Sequence, residues 1–146
     1  MGPNRLSGFA DVGKLPYVHA FTNEILRWQP ITPFGDPHVL TADDEYMGYH
    51  ICRDAIILPH HWSIGRSHEV GGDPEVFRPE RWLANPDIPL AAFSVGRRAC
   101  SGQQVAYNPL FIVIARRLWA YGIVCPKEDE QIRAGELRVS CQCGPL

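Results

Sequence analysis

The stretch FSVGRRACSGQQVA, residues 93–106, decides how this chain folds, because it places one cysteine between a pair of arginines and a Ser-Gly step. A helical pattern starts directly after Cys100. A thiol at the start of a helix feels the positive end of the helix dipole and the nearby backbone N–H groups, which favour thiolate over thiol. The sequence therefore predicts an anionic sulfur at this position.

The residues around Cys100 suit the approach of a flat, carboxylated group. Gly96 is predicted to adopt a positive φ in a tight turn, and Gly102 leaves no side chain where a bulky group meets the backbone. Ala106 lies four residues further along the same helix face, so the two small residues form a flat shelf. Arg98 can make charge-assisted hydrogen bonds to a carboxylate on that group. Together these features describe a haem site.

The same stretch resembles the haem-binding signature of the cytochrome P-450 superfamily, F-x-x-G-x-R-x-C-x-G followed by a small residue. The resemblance implies a haem-thiolate monooxygenase in which Cys100 ligates the haem iron. It also implies that the other defined positions of the signature help to bind the haem. Every defined position is filled here, by Phe93, Gly96, Arg98, Cys100, Gly102 and Ala106.

Two further segments resemble that family and occur in its order. NEILRW resembles the E-x-x-R helix, with Glu24 and Arg27 spaced so that their side chains meet. FRPERW resembles the segment whose arginine, here Arg81, completes a three-residue ionic network beneath the haem. His38 falls where the family places an Arg or His that binds a haem propionate. The resemblance extends from Leu15 to Val124 and is closest in style to fungal and other eukaryotic microsomal-type members.

Composition and periodicity predict a loop-rich, mainly α-helical segment. The chain has 146 residues, 13 Pro and 13 Gly, which suits one globular domain with many turns. The resemblance implies a fold that is mainly α with a small antiparallel β-sheet, namely the C-terminal, haem-proximal part of the P-450 fold. By the same resemblance, residues 1–146 are expected to form one partial domain without a counterpart of the N-terminal part of the family domain: the E-x-x-R helix, a small β region, the haem-binding loop and the following helix.

Individual elements follow from the same patterns. One helix is expected from Leu15-Pro16 to Gln29-Pro30 and a second from Ser101 toward Tyr121. The β-prone runs are a strand at His38 to Thr41 and a small antiparallel hairpin from the runs Tyr49 to Cys52 and Ala55 to Leu58, with turns at Met47-Gly48 and Arg53-Asp54. A helical turn is expected around Trp62, followed by a long Gly/Pro-rich loop.

The second helix carries a prediction about the size of the intact fold. Its centre, LFIVIARRLW, is apolar nearly all round, which predicts burial on every side. The remaining chain offers too little to cover it, so the chain is expected to be part of a larger fold. Pro109 interrupts the helix pattern, where loss of the hydrogen bond to the Val105 carbonyl costs about 3 kcal/mol. The chain has no counterpart of the family's long central helix, whose acid-alcohol pair serves oxygen activation.

Charge and hydropathy exclude some partners. The formal net charge is −2 and the basic residues are scattered, so nucleic acid is not an expected partner. The longest apolar run, Pro109 to Ala115, is far shorter than the roughly 20 residues of a membrane span, so no transmembrane segment is expected in this chain. The resemblance implies a small organic substrate, cytochrome P-450 reductase delivering electrons from NAD(P)H, and an endoplasmic reticulum location for the intact protein, whose anchor has no counterpart here.

Two alternatives stay open at this level. The chain could be a truncated, catalytically inactive remnant of such an enzyme. It could also be a zinc or interaction module built on His60, His61 and His68 or on Cys141 and Cys143, although neither cluster has a partner at structural zinc spacing. The five cysteines are odd in number and predict reduced thiols. Oxygen-independent isomerases and lyases share the haem motif, and the substrate is not indicated.

Overall fold

The computed structural model describes residues 5–68, 72–123 and 139–141. The described helices are α1 (Pro16–Trp28), α2 (His61–Gly65), α3 (Glu80–Ala84) and α4 (Gln103–Ala120), with 3₁₀ turns at Phe9–Lys14, Ala91–Phe93 and Gly96–Arg98. The described strands are β1 (His38–Val39), β2 (Asp44–Tyr46), β3 (Tyr49–Ile51), β4 (Ile56–Ile57), β5 (Tyr121–Ile123) and β6 (Val139–Cys141). The expected mainly α fold with small antiparallel sheets is confirmed.

The two long helices begin and end close to the predicted residues. Proline at the first position of α1 suits a helix start, because its missing N–H has no partner there in any helix. The Gln29 N–H closes α1 on the Ile25 carbonyl at 2.9 Å, directly before Pro30. Helix α4 runs through Pro109 without a break. Val105 is 76% exposed, on a face where water can bind the carbonyl that Pro109 leaves without a donor.

The core lies between α1 and α4. Phe111 and Ala115 of α4 pack against Val18 of α1 and are 1%, 4% and 7% exposed. The phenol O–H of Tyr107 donates to Asn23 Oδ1 at 2.9 Å and so ties the same two helices together. A second, smaller cluster of Ala20, Trp82 and Ile88 packs the far side of α1 against α3 and the loop after it.

Within this chain helix α4 is not buried on every side, in line with the expectation that the rest of the chain is too small to cover it. Its burial on every side in a larger fold stays a prediction. Among its described side chains only Phe111 and Ala115 are buried, whereas Val105 and Val113 are 76% and 54% exposed. The reason is that α1 and the turn Phe9–Lys14 cover one face only. An open apolar face of this kind is typical of a surface that meets another part of a protein.

The β-region is paired differently from the expectation. The run starting at Tyr49 pairs with β2 across Met47-Gly48, where both φ angles are positive, as a two-residue hairpin turn requires. The run containing Ile56 and Ile57 pairs instead with β1, through His38↔Ile57 and Val39↔Ile56. The two predicted runs therefore belong to different two-stranded sheets, with the β2–β3 hairpin lying between β1 and β4 in the sequence.

Within the described ranges no helix has the length and apolarity needed to cross a bilayer.

Candidate functional site

Cys100 lies at the end of a loop that its own backbone closes. The Cys100 N–H donates to the Phe93 carbonyl at 2.9 Å, and the Cys100 carbonyl accepts from the Gln103 N–H at 3.2 Å. The first bond fixes the cysteine to the turn Ala91–Phe93, and the second joins it to the first residue of α4. The thiol is free and exposed. The sequence therefore folds so as to present a sulfur atom directly before a helix.

Two residues of this loop adopt a positive φ. Gly96 has φ 66°, in agreement with the predicted tight turn. Ser94 has φ 61° and ψ −175°, a region that only glycine occupies without strain. Such a conformation costs about 1 to 3 kcal/mol and persists where surrounding contacts fix it, here including the 2.8 Å bond from the Ser94 N–H to the Ala91 carbonyl. Strain of this kind clusters at functional sites.

A cleft brings four of the predicted site residues together. It has a volume of about 550 Å³, within the range of small-molecule sites. Its lining includes Cys100, Phe93 and Arg98 from the loop and His38 from β1, which is distant in sequence. A second cleft of about 680 Å³ shares His38 and Arg98 with the first. The sulfur, one aromatic ring and two nitrogen-bearing side chains thus face a common space.

Gly102 and Ala106 lie beside this cleft and are absent from its lining. The Ala106 N–H donates to the Gly102 carbonyl at 3.0 Å, so the two residues stack one turn apart on α4. A Cβ added at Gly102 would come within 3.7 Å of the Cys100 sulfur, which is ordinary contact. Ala106 is exposed. These small residues leave the surface next to the sulfur low and open.

The cleft suits a carboxylated ligand. Arg97 and Arg98 are both exposed and both line the two clefts. In the described part of the chain neither guanidinium has a carboxylate partner, so both are available to a ligand. A free thiol is a ligand that fits haem iron, and two neighbouring guanidiniums and an imidazole fit the haem propionates.

A buried ionic network supports the loops that reach the cleft. Glu24 on α1 is 0% exposed and accepts from the Arg27 Nε at 2.9 Å and Nη2 at 2.8 Å. The Arg81 Nε and the Trp82 Nε1 of α3 donate to the same carboxylate at 3.2 Å and 2.9 Å. The Arg78 backbone N–H donates at 2.8 Å. The predicted meeting of Glu24, Arg27 and Arg81 is present in the structure.

The same arginines hold loop carbonyls. Arg27 Nη1 donates to the carbonyls of Gly65 and Pro74, each at 2.9 Å. Arg81 Nη2 donates to the carbonyls of Asp73 and Val76, each at 2.8 Å. One network therefore joins α1, α2, α3 and the loop between α2 and α3, and its charged groups are all hydrogen-bonded.

The charge of Glu24 is stabilised within this network. Burial alone would raise its pKa, but the hydrogen bonds from Arg27, the Arg78 N–H and Trp82 outweigh burial and lower the pKa to about 2. The Glu24 carboxylate is therefore ionised at neutral pH. None of the network's side chains is among the residues that line the cleft, so we assign the network a structural role.

The histidines considered for zinc have other partners. His60 accepts from the Ser63 N–H at 3.2 Å and caps α2. His61 is buried, lines the cleft and donates from Nδ1 to the Thr32 carbonyl at 3.1 Å. His68 bonds to the Gly72 carbonyl at 3.1 Å. Among the described residues no group of three or more His, Cys, Asp or Glu side chains is placed to hold a metal ion, and the side chains of Cys141 and Cys143 lie outside the described part.

Among the ionisable side chains of the lining, sequence reasoning assigned no site role to Arg97, His61 or Asp36. Arg97 occupies a variable position of the signature. The only sequence signal that it lines the cleft is that it is an arginine directly before Arg98. His61 was considered only as a zinc ligand, and no sequence signal places it at the cleft. Asp36 reaches the cleft because it lies in the loop before β1. The path of this loop depends on Gly35. A Cβ at Gly35 would lie 2.5 Å from the Pro59 carbonyl, so only glycine fits there.

Comparisons with known proteins show the family to which the sequence is related. The sequence model of the family described as Cytochrome P-450 matches residues 1–141. The cytochrome P-450 monooxygenase FrzL of Cladobotryum sp is 42% identical over 149 residues, covering 100% of this chain and 29% of FrzL. The cytochrome P-450 monooxygenase drtD of Aspergillus calidoustus is 49% identical over 123 residues, covering 84% of this chain and 24% of drtD. Fumitremorgin C synthase of Neosartorya fischeri is 41% identical over 132 residues, covering 90% and 25%.

A solved structure shows the same arrangement of elements. A zebra fish cytochrome P-450 in complex with abiraterone matches with a TM-score of 0.77 and 29% identity, over 97% of this chain and 34% of that one. The chain thus spans between 24% and 34% of the length of these proteins.

Proposed function

This chain belongs to the cytochrome P-450 family, and from that premise we propose that it forms the haem-proximal portion of a fungal haem-thiolate monooxygenase with Cys100 as the iron ligand. The observation that carries the proposal is the free, exposed Cys100 thiol in a cleft that also holds Phe93, Arg98 and His38. These residues come from two distant parts of the sequence. Their convergence is what a thiolate-ligated, propionate-bearing group requires.

Each residue of the cleft has a defined task in this proposal. Cys100 donates its sulfur, held in place by the backbone bonds to Phe93 and Gln103. Arg98 and His38 would bind the propionates, and Phe93 would contact the haem, since all three line the cleft. Gly102 and Ala106 keep the surface beside the sulfur free of bulk. The sulfur is presented directly before the first residue of α4, Gln103.

The chemistry of the intact protein follows from the same site. Haem with a thiolate ligand supplies the activation of O₂ needed to insert one oxygen atom into a small organic substrate. The cleft residues of this chain would hold and orient the haem, and the Glu24 network joins the helices and loops that support the cleft. We extend the proposal to electron delivery from NAD(P)H through cytochrome P-450 reductase and to an endoplasmic reticulum location of the intact protein.

Haem titration tests the binding part of the proposal. The chain is titrated with haemin, and the Soret absorption gives stoichiometry and affinity. We expect one haem per chain, and Cys100→Ala should lower the affinity by more than about tenfold, since losing even a group that only supports a ligand costs that much. Cys52→Ala removes the other exposed free thiol of the described part and serves as the matched control. Equal affinity of the Cys100→Ala chain would refute Cys100 as the ligand.

A second titration isolates the role of Arg98. Arg98→Gln should weaken the binding of haem but not of haem dimethyl ester, whose carboxylates are blocked. Arg117→Gln serves as the control, because Arg117 is an exposed arginine that lies on α4, away from the signature. It should change the affinity for neither haem nor haem dimethyl ester. A loss that is equal for both ligands would mean that Arg98 acts on the fold and not on a propionate.

One observation favours a second candidate, a haem-binding chain without catalysis. Arg97, Arg98 and Cys100 line the cleft and are all exposed, so within this chain the cleft lacks the enclosure that excludes water from a reacting centre. Turnover assays with reductase and NADPH separate the two functions. Haem uptake without any product would favour the second candidate, and product formation would exclude it.

A further inference from the structure

A nucleophilic arrangement that the haem site does not use lies on the β2–β3 hairpin. We propose that Cys52 is a modification site, at which His50 and Asp43 promote reaction of the thiol with small cationic disulfides to give a mixed disulfide. The proposal does not depend on haem binding.

The antiparallel register places the three side chains on one face of the hairpin. His50 and Cys52 are two residues apart in an extended segment, so their side chains point to the same side. Asp44 pairs with Ile51, which puts Asp43 next to Cys52 on the neighbouring strand. Asp43 is fixed there because its Oδ1 accepts from the Arg53 N–H at 2.6 Å.

The distances give a nucleophile, a base and an orienting carboxylate. The Cys52 sulfur lies 3.8 Å from His50 Nδ1, within reach of a sulfur hydrogen bond. His50 Nε2 lies 3.9 Å from Asp43 Oδ2, which is ion-pair range and longer than a direct hydrogen bond. The carboxylate favours the tautomer with the proton on Nε2, which leaves the Nδ1 lone pair for the thiol proton. This order of groups is the general pattern of an activated cysteine.

Exposure and charge define the reagent. Cys52 is exposed, and the side chains of His50 and Asp43 are 64% and 65% exposed, so small molecules reach the thiol from solvent. Glu45 pairs directly with His50 and adds a second carboxylate to this face. Arg53 contributes little to the field there, because its Nε lies 3.7 Å from the carboxylate of Asp54. The face therefore attracts cationic disulfides and repels anionic ones.

The reaction balances within the named groups. The thiol proton passes to His50 Nδ1, and the thiolate attacks one sulfur of the disulfide. The Cys52 S–S bond forms as the reagent's S–S bond breaks. The released thiolate takes the proton from His50, so one thiol is consumed, one is released, and the disulfide is the oxidant.

Site-resolved kinetics test the proposal on the full chain. Cystamine is added, the reaction is quenched with acid, and tryptic peptides are quantified by mass spectrometry. Cys52 falls in peptide 28–53 and Cys100 in peptide 99–116, so their rates are separate. His50→Gln should slow the modification of Cys52 about tenfold, below the 10²–10⁴ range of enclosed general bases because the site is exposed. His68→Gln removes another exposed histidine and should leave the rate unchanged.

Two further measurements distinguish the details. Asp43→Asn should produce a smaller loss than His50→Gln, since Asp43 only orients the imidazole. Cys52 should react faster with cystamine than with oxidised glutathione. The ratio of these two rates should be larger for Cys52 than for N-acetylcysteine, a free thiol used as the reference, and it should fall at high salt. The proposal is overturned if His50→Gln, with an unchanged far-UV circular dichroism spectrum, reacts at the wild-type rate, or if oxidised glutathione reacts faster than cystamine.

Discussion

Replacing Glu24 with glutamine perturbs the network beneath the cleft without changing its shape. The substitution keeps the size of the side chain and removes its charge. The side chains of Arg27 and Arg81 are each 2% exposed and would remain buried without their anion. A buried charge that loses its partner is strongly destabilising. We therefore expect Glu24→Gln to lower the free energy of unfolding substantially.

Two independent routes give the magnitude. The pKa of Glu24 falls from 4.5 to about 2 on folding, and at about 1.4 kcal/mol for each pKa unit this corresponds to about 3 kcal/mol. Removing one partner of a buried ion pair costs about 3 to 5 kcal/mol. We expect a loss of about 3 kcal/mol, which is a large part of the stability of an ordinary domain.

Urea unfolding followed by tryptophan fluorescence measures this loss. Trp82 is a local probe, because its Nε1 donates to Glu24 Oε2 at 2.9 Å. The unfolding midpoint of Glu24→Gln should fall by about 1 to 2 M. Glu45→Gln, at an exposed glutamate on β2, should stay within about 0.5 kcal/mol of the wild type.

The pH dependence gives a second readout with a defined sign. Because folding lowers the pKa of Glu24, its contribution is fully present above about pH 4.5 and is lost as the pH falls toward 2. The difference in stability between wild type and Glu24→Gln should shrink over that window. A loss below about 1 kcal/mol at neutral pH, or a difference that does not change with pH, would refute the account of the network.

Two further substitutions test the packing. Phe111→Ala should lower the free energy of unfolding in urea by about 3 to 5 kcal/mol, because Phe111 is 1% exposed. Val113→Ala is the control and should cost little, because Val113 is 54% exposed. Equal losses would contradict the one-sided burial of α4. Gly65→Ala should cost about 1 to 3 kcal/mol, since its Cβ would lie 2.9 Å from the Arg27 carbonyl. Gly13→Ala, with nothing within 4 Å of its Cβ, is the control, and a Gly65→Ala chain as stable as this control would show that the contact relaxes.

Local patterns predicted the long helices and little of the pairing. Proline and apolar spacing located the ends of α1 and α4, because those signals lie within the helices themselves. Helix α3 was missed because five residues carry no periodicity, and its place depends on Arg81 meeting Glu24, 57 positions away. The strand pairs were assigned wrongly for the same reason, since β1 and β4 select each other across the hairpin between them.

The site was predictable where a motif with fixed spacing names its residues. Cys100, Phe93 and Arg98 reach the cleft as the signature implies, and His38 joins them from β1. Arg97 and His61 line the same cleft without any pattern that marks them. Their positions depend on the course of loops, which follows from long-range contacts.

The carbon monoxide spectrum of the ferrous, haem-loaded chain tests the central claim most directly, because it reports the ligand opposite the bound gas. The wild-type chain and Cys52→Ala should both give the spectrum of thiolate ligation, and Cys100→Ala should lose it. A spectrum of histidine ligation in the wild type, or a thiolate spectrum that persists in Cys100→Ala, would contradict the assignment of Cys100.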